Sequence, residues 1–344
     1  MRALILGGSG VIGRATARRL LDAGWEVEVT GRDPGHLPGD LAADGVRFHA
    51  ADRADAGALR SALGPGADLL VDCVCHTAAD ARLLLPLAAR AASTALISSK
   101  AVYVDAAGNH ANSDAAPDFG GPVPETQPTL PPGDMDHDSR EGYGPNKVAA
   151  ELVAADSGLP ISILRPSRVH GPGANRPREW VFVRRALDRR PAVLLAAAGC
   201  GVVHPTAAVN VAALIETVAH LPGARVLNIA DPDAPSAREI ARTIARQLGH
   251  SWREVLLDGA APEGLGRTPW DSPHPVVLDM SAALRLGYKP VGDFAATVAD
   301  TVDWLYDLHR AGDPRRALPS SQDPYFAGFF DYAAEDAYLA AHPC

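Results

Sequence analysis

Met1-Arg-Ala-Leu-Ile-Leu-Gly-Gly-Ser-Gly-Val-Ile-Gly13 is the stretch that decides the fold. Ala3-Leu-Ile-Leu6 is a short apolar run, the pattern of a buried strand. It breaks at Gly7-Gly-Ser-Gly10, and a helical periodicity opens at Val11 and runs to Leu21. Gly7, Gly10 and Gly13 follow a G-x-x-G-x-x-G spacing, one residue wider at the front than the usual dinucleotide fingerprint. The physics is unchanged: the first glycine allows a tight turn, and the second lets backbone approach a pyrophosphate. The third lets the helix pack close to the strand, with its free N–H groups facing the anion. Gly7, Ser9, Gly10, Val11, Ile12 and Gly13 are therefore expected to cradle a dinucleotide. The alternative is an ordinary Gly-rich strand–helix turn.

Outward from this stretch, strands are expected at residues 25–30, 46–50, 68–76, 94–99, 159–164 and 225–230. Helices are expected at 58–63, 83–92, 143–155, 180–187, 210–219 and 294–308. Another helix, capped by Ser236 with Glu239 at the capping-box position, should run to Leu248 and stop at Gly249. Strand–helix alternation predicts an α/β fold, a Rossmann-type doubly wound parallel sheet with a smaller, interleaved C-terminal lobe. The expected division is a dinucleotide-binding domain over 1–166, with segments near 202–230 returning to it. A substrate lobe over 167–201 and 231–308 follows, then an aromatic-rich tail over 309–344 that packs on the body or on a second subunit. Residues 105–141 are rich in Pro, Gly and Asp and too long for a plain connector. Residues 260–275 read as a loop.

The 344 residues are 47% hydrophobic and 21% charged, the composition of a globular protein. A net charge of −9 argues against a protein that binds nucleic acid by neutralising phosphates. No run of eighteen apolar residues suggests a membrane span, and a strand at residue 3 leaves no room for a cleavable leader, so a cytoplasmic location is expected. Cys73, Cys75, Cys200 and Cys344 form no metal-spaced cluster. Cys73 and Cys75 should share one face of a strand as small buried hydrophobes. Asp134-Met-Asp136-His137-Asp138 reads as a solvated acidic loop rather than a metal site.

Tyr143-Gly-Pro-Asn-Lys147 carries the chemistry. Four residues apart, Tyr143 and Lys147 share one helix face. An ammonium beside a phenol stabilises the phenolate, which can exchange a proton with an alcohol or ketone oxygen, and the same lysine can reach a ribose hydroxyl. Ser98 and Ser99 close a predicted strand at the sheet end where open α/β folds bind ligands.

These features, in order with Asp52-Arg53, Val74-Cys-His76, Ser98-Ser-Lys-Ala-Val-Tyr103, Leu164-Arg-Pro-Ser-Arg-Val-His-Gly-Pro-Gly173, residues 204–212, Asn228-Ile-Ala230 and Leu286-Gly-Tyr-Lys-Pro290, resemble the extended short-chain dehydrogenases/reductases. This is the NAD-dependent epimerase/dehydratase family, and the likeness covers residues 1 to about 305. It implies Tyr143 as general acid/base, Lys147 as its partner and ribose ligand, and Ser99, three residues before Val102, as the catalytic hydroxyl. It further implies Asp52, with Arg53 beside it, at the adenine, and Pro166–Ser167 near the nicotinamide. It implies a possible homodimer through the 143–155 helix. Where family dehydratases carry Asp-Glu, this chain has Lys100-Ala101, so 4,6-dehydration is not expected. Asn210 replaces a usual Asp, at the expected cost of a salt bridge.

Gly31-Arg32 ends the second strand without an acidic residue. A guanidinium there suits a 2′-phosphate, so NADP(H) is favoured, with NAD(H) possible should Asp33 reach the ribose. His76 is placed near the cofactor or as a strand-end histidine. Arg168, His170, Asn175, Arg176, Arg178, Arg184, Arg185, Arg189 and Arg190 suit a diphosphate or carboxylate ligand, such as a nucleotide sugar, or a solvated face. The expected activity is hydride transfer between a nicotinamide and a secondary alcohol or ketone, as an NADPH-dependent ketoreductase on a sugar-like or specialised metabolite. The alternatives are a redox-neutral nucleotide-sugar epimerase and a non-catalytic binding protein on the same fold.

Overall fold

The structure, a computed structural model, describes residues 1–259, 264–312 and 318–342. The expectations for Cys344, for the start of the 260–275 loop and for part of the tail therefore fall outside the described residues.

Seven parallel strands form the central sheet. In chain order they are β1 (Arg2–Leu6), β2 (Glu26–Gly31), β3 (Arg47–Ala50), β4 (Ala67–Asp72), β5 (Ala91–Ile97), β6 (Ile161–Pro166) and, entering later, β10 (Arg225–Ile229). Their spatial order is β10-β6-β5-β4-β1-β2-β3, with β4 central and the order reversing at its neighbour β1. Alternation along β1 shows how the layers are filled. Ala3 and Ile5 enter one core with Val27, Val29, Leu69 and Val71, covered by α1 (Val11–Asp22) and α7 (Ala208–His220). Leu4 and Leu6 enter the opposite core with Leu70 and Leu96, covered by α3 (Ala56–Leu63), α4 (Ala78–Ala88) and α5 (Tyr143–Ala155). With both faces buried, the strands need continuous rather than alternating hydrophobicity, which is what the sequence carries. The short α2 (Gly39–Ala43) lies beside α1.

A further core draws on α6 (Trp180–Leu187), α8 (Ala237–Gln247) and α10 (Phe294–Ala311). Strand β8 (Ala192–Leu195), paired in parallel with β11 (Arg253–Leu256), lies against it, and the two-residue strands β7 (Val169–His170) and β9 (Thr206–Ala207) pair beside them. The C-terminal segment completes this core. Phe326, Phe329 and Phe330 are buried in it, and Glu335 of α11 (Tyr332–Ala341) makes a buried ion pair with Arg185. Helix α9 (Ser281–Arg285) packs on β10. Among the described residues no helix is long and apolar enough to cross a membrane.

Several boundaries differ from expectation for local reasons. β4 ends at Asp72, because the Asp72 carboxylate accepts the Val74 N–H at 3.0 Å and turns the chain. Cys73 and Cys75 thus lie beyond the strand, half-buried and buried, not on one strand face. Helix α4 starts early because Thr77 and Asp80 form a capping box, and residues 91–92 belong to β5 rather than to the helix. Ser236 and Glu239 form the expected capping box. Asn210 is fully buried: its amide donates to Asp231 and to the Gly292 carbonyl, both at 2.8 Å. An Asp at that position would face the Asp231 carboxylate, so Asn is the matching residue and no salt bridge is missing there.

Candidate active site

The site is built at the C-terminal edge of the sheet. After β1 the chain turns at Gly7, whose φ of +79° lies in the left-handed region that favours glycine. Gly8, which the motif spacing passes over, is also required: a Cβ there would sit 2.3 Å from Val29 Cβ. A Cβ on Gly13 would lie 2.5 Å from the Gly7 oxygen, so Gly13 is what lets α1 rest on the turn. Gly10 differs, for the nearest atom to its missing Cβ is 3.4 Å away and the space in front is open. It caps α1 without a side-chain hydrogen bond, and the first turn carries no acidic residue. The N–H groups and the helix dipole therefore face a cleft suited to an anion.

That cleft is a groove of about 1310 Å3 running past Gly7, Ser9, Gly10, Gly31, Arg32, Asp33, Asp52, Arg53, Val74, His76 and His137. Arg32 is exposed and has no protein partner among the described residues, while Asp33 is engaged, accepting the Gly35 N–H at 2.8 Å. Asp52 accepts the Ala54 N–H at 2.8 Å and stays on the rim. Arg53 turns inward, donating to Asp72 at 2.6 Å and to the Asp80 carbonyl at 2.7 Å, so it braces the groove floor. A dinucleotide fits this surface: an open cradle at Gly10, an unpartnered cation at one rim, and room for an extended ligand. Gly10 and its neighbours would hold the pyrophosphate, and the Gly31–Asp33 and Asp52 edges the adenosine.

The proposed reacting groups stand next to the His76 end of the groove, and none of Ser99, Tyr143 and Lys147 lines it directly. Ser99 follows β5, and its Oγ accepts the Ala101 N–H at 3.1 Å, capping a short turn over residues 100–102. Gly144 lets the start of α5 press against this turn, since a Cβ would meet the Ala101 oxygen at 2.8 Å. Tyr143, the first residue of α5, is half-buried, and its hydroxyl has no protein partner among the described residues. Lys147 is 3% exposed; its Nζ donates to the Cys75 and Ile97 carbonyls at 2.7 and 3.1 Å and lies 5.9 Å from the centre of the Tyr143 ring. Pro166 ends β6 in register with Ile229 and does not line the groove. Ser98 points the other way, hydrogen-bonded to buried Glu151, which also holds Arg165 at 3.0 Å.

Two features escaped sequence reasoning. His137, from the long loop after residue 105, stacks on His76 with ring centres 5.3 Å apart, so that loop covers the end of the groove. Burial, with the positive charge of Lys147, pushes His76 down to about 4 and keeps it neutral. The second feature is Lys100, read from sequence only as the absence of a carboxylate. The signal for both was present as unusual residue types, but their neighbours lie far away in sequence.

A sheet-edge groove over a glycine turn, with a Ser, Tyr and Lys on the elements next to its His76 end, is the arrangement of a dinucleotide-binding α/β class. Residues 3–201 match the NAD dependent epimerase/dehydratase family, and the chain belongs to that family. Solved structures share the fold. The Thermus thermophilus UDP-glucose 4-epimerase, in complex with NAD, superposes with a TM-score of 0.64 at 19% identity, over 89% of this chain and 99% of that one. The Bacillus anthracis dTDP-glucose 4,6-dehydratase, also with NAD, gives 0.66 at 15% identity over 90% and 98%. The Thermotoga maritima UDP-glucose 4-epimerase with UDP-glucose gives 0.66 at 18% over 90% and 100%. No curated protein matches the chain by sequence.

Proposed function

We propose that the protein transfers a hydride between a nicotinamide dinucleotide and a secondary alcohol or ketone on a sugar-like or specialised metabolite, in the reductive direction with NADPH. The observation that carries this reading is the Tyr143 phenol, its hydroxyl without a protein partner among the described residues, with its ring 5.9 Å from buried Lys147, which donates to the Cys75 carbonyl between the groove residues Val74 and His76. The bound dinucleotide supplies or accepts the hydride. Tyr143 gives a proton to the substrate oxygen as charge develops there, or removes it in reverse. Ser99 Oγ, held by its backbone cap, hydrogen-bonds the same oxygen. Lys147, fixed by two carbonyls, keeps one N–H free for Tyr143 or a ribose hydroxyl. The NADP(H) form is favoured by the free Arg32 and the engaged Asp33.

Replacing Tyr143 by Phe should lower turnover by about 10²–10⁴-fold while cofactor affinity stays within twofold, about 0.4 kcal/mol. Unchanged turnover in that variant would remove the reading. A second reading, the redox-neutral epimerase, draws on the UDP-glucose 4-epimerases that share the fold. Cofactor that co-purifies, with no net NADPH oxidation on any ketone, would favour it.

A further inference from the structure

Of the 32 lysines and arginines, only Lys100, Lys147 and Lys289 are lysine. Lys289 is exposed and Lys147 is held by two carbonyls. Lys100 is half-buried and directly follows Ser99, and its ammonium has no hydrogen-bond or ion-pair partner among the described residues. Two further cations reach its surroundings, Arg168 from just beyond β6 and Arg178 from just before α6. Burial and these two charges push Lys100 down to about 7, and burial with Arg178 pushes Arg168 down to about 10.

Among the described residues, no carboxylate lies within 4 Å of a nitrogen of Lys100, Arg168, Arg176 or Arg178. The acids in range of Arg168 are Glu179 and Asp271. Asp271 is engaged by Thr268, taking its hydroxyl at 2.6 Å and its N–H at 2.9 Å. Arg168 Nε is buried without a partner. What the two arginines do touch is one phenol. The Tyr325 hydroxyl accepts from Arg178 Nε at 3.0 Å and from Arg168 at 3.4 Å, and Arg176 lies 5.5 Å from the ring centre. Edge-on packing against Phe326 and Phe329 holds that ring in place. Arg168 and Arg178 converge on one hydroxyl, and with the charge of half-buried Lys100 acting on them they repel one another, a repulsion that a ligand's negative charge would offset.

We propose that Lys100, Arg168 and Arg178 bind an oxyanion, a carboxylate or phosphate, that the substrate carries close to its reacting carbon. Closeness follows from Lys100 adjoining Ser99, with Cα atoms about 3.8 Å apart across a trans peptide. This placement rests on the reading of Ser99 as the group that meets the substrate oxygen. An acid sugar, a hydroxy acid or a phosphorylated ketone meets the requirement, whereas a neutral sugar would leave the cations unpaired.

The test is amine acylation of the full-length protein with the cofactor it carries, followed lysine by lysine by peptide mass spectrometry. Lys100 should be acylated fastest at neutral pH. Inorganic phosphate and glucuronate should each slow it by about tenfold at roughly ten times their Kd, glucose should not, and Arg168→Gln should abolish the protection. Protection by glucuronate alone assigns a carboxylate, and by phosphate alone a phosphoryl group. Acylation indifferent to both anions, or slowed equally by glucose, overturns the proposal. Protection by UDP where neither small anion protects also overturns it, because the cations then serve a distant diphosphate. The readout needs no turnover, so protection that survives in an enzyme whose Tyr143→Phe variant is fully active would sink the hydride-transfer reading and leave the anion site standing.

Discussion

Arg165 and Arg168 stand three residues apart on one stretch of chain and meet opposite surroundings. Arg165 is nearly enclosed, bonded through two nitrogens to Glu151 and stacked on the Tyr103 ring at 4.8 Å. Its partners raise its pKa despite burial. Ser98 joins the same carboxylate, and the Tyr103 hydroxyl donates to Asn228 at 2.6 Å. Arg168 has a phenol at hydrogen-bond distance and, among the described residues, no carboxylate within 4 Å, with its pKa lowered. The difference separates charges that hold the sheet end together from charges kept available in the cleft. Buried ions are tolerated when paired, and an unpaired set is retained at a cost in stability.

The sharpest way to break the contrast is to remove the pairing. Glu151→Ala should leave Arg165 uncompensated and cost about 3–5 kcal/mol in urea unfolding. A loss below about 1 kcal/mol would mean the enclosed network is no more structural than the cleft. Arg32 supplies an intermediate case, an exposed cation with no partner among the described residues. Arg32→Ala should change stability by less than about 0.5 kcal/mol yet reduce the preference for NADPH over NADH by about tenfold, roughly 1.4 kcal/mol, in paired cofactor titrations. An unmoved ratio would end the 2′-phosphate reading.

The smallest effect, and the one of opposite sign, is expected at Lys100. Its folded-state pKa of about 7 lies below the ordinary lysine value, so the unfolded chain binds more protons between about pH 7 and 10.4. The penalty is complete below pH 7 and disappears as pH rises toward 10.4. Lys100→Met should therefore raise Tm by about 1–3 °C at pH 6 and by less at pH 9, measured by calorimetry. A fall in Tm at pH 6 would show that Lys100 is a stabilising charge like Arg165.

Sequence carried the sheet, the turn after β1 and the helix that bears Tyr143 and Lys147, because those depend on local pattern. Continuous apolar runs reported strands buried on both faces. The glycine turn reported its own geometry, and the Tyr143–Lys147 spacing reported one helix face. Gly8 was missed, since its constraint comes from Val29 on the neighbouring strand. Arg53 was placed beside Asp52 at the adenine because its partner, Asp72, is brought underneath only by strand pairing. Arg168, Arg178 and Tyr325 look unrelated in sequence, and Tyr325 reaches the two arginines only once the C-terminal segment has folded onto the core of α6, α8 and α10.

The arrival of that segment sets an order of assembly. The sheet is complete once β10, ending at Ile229, has been made, but the α6–α8–α10 core still lacks Phe326, Phe329 and Phe330, and Arg185 still lacks Glu335. At about 5–20 residues per second, synthesis leaves an interval of roughly 5–20 s between the two events. Through that interval the nascent chain carries a finished sheet beside an open aromatic core and a cation without its carboxylate. Chaperone engagement during translation should concentrate there, on the faces of α6 and α10 that the last aromatic residues will cover.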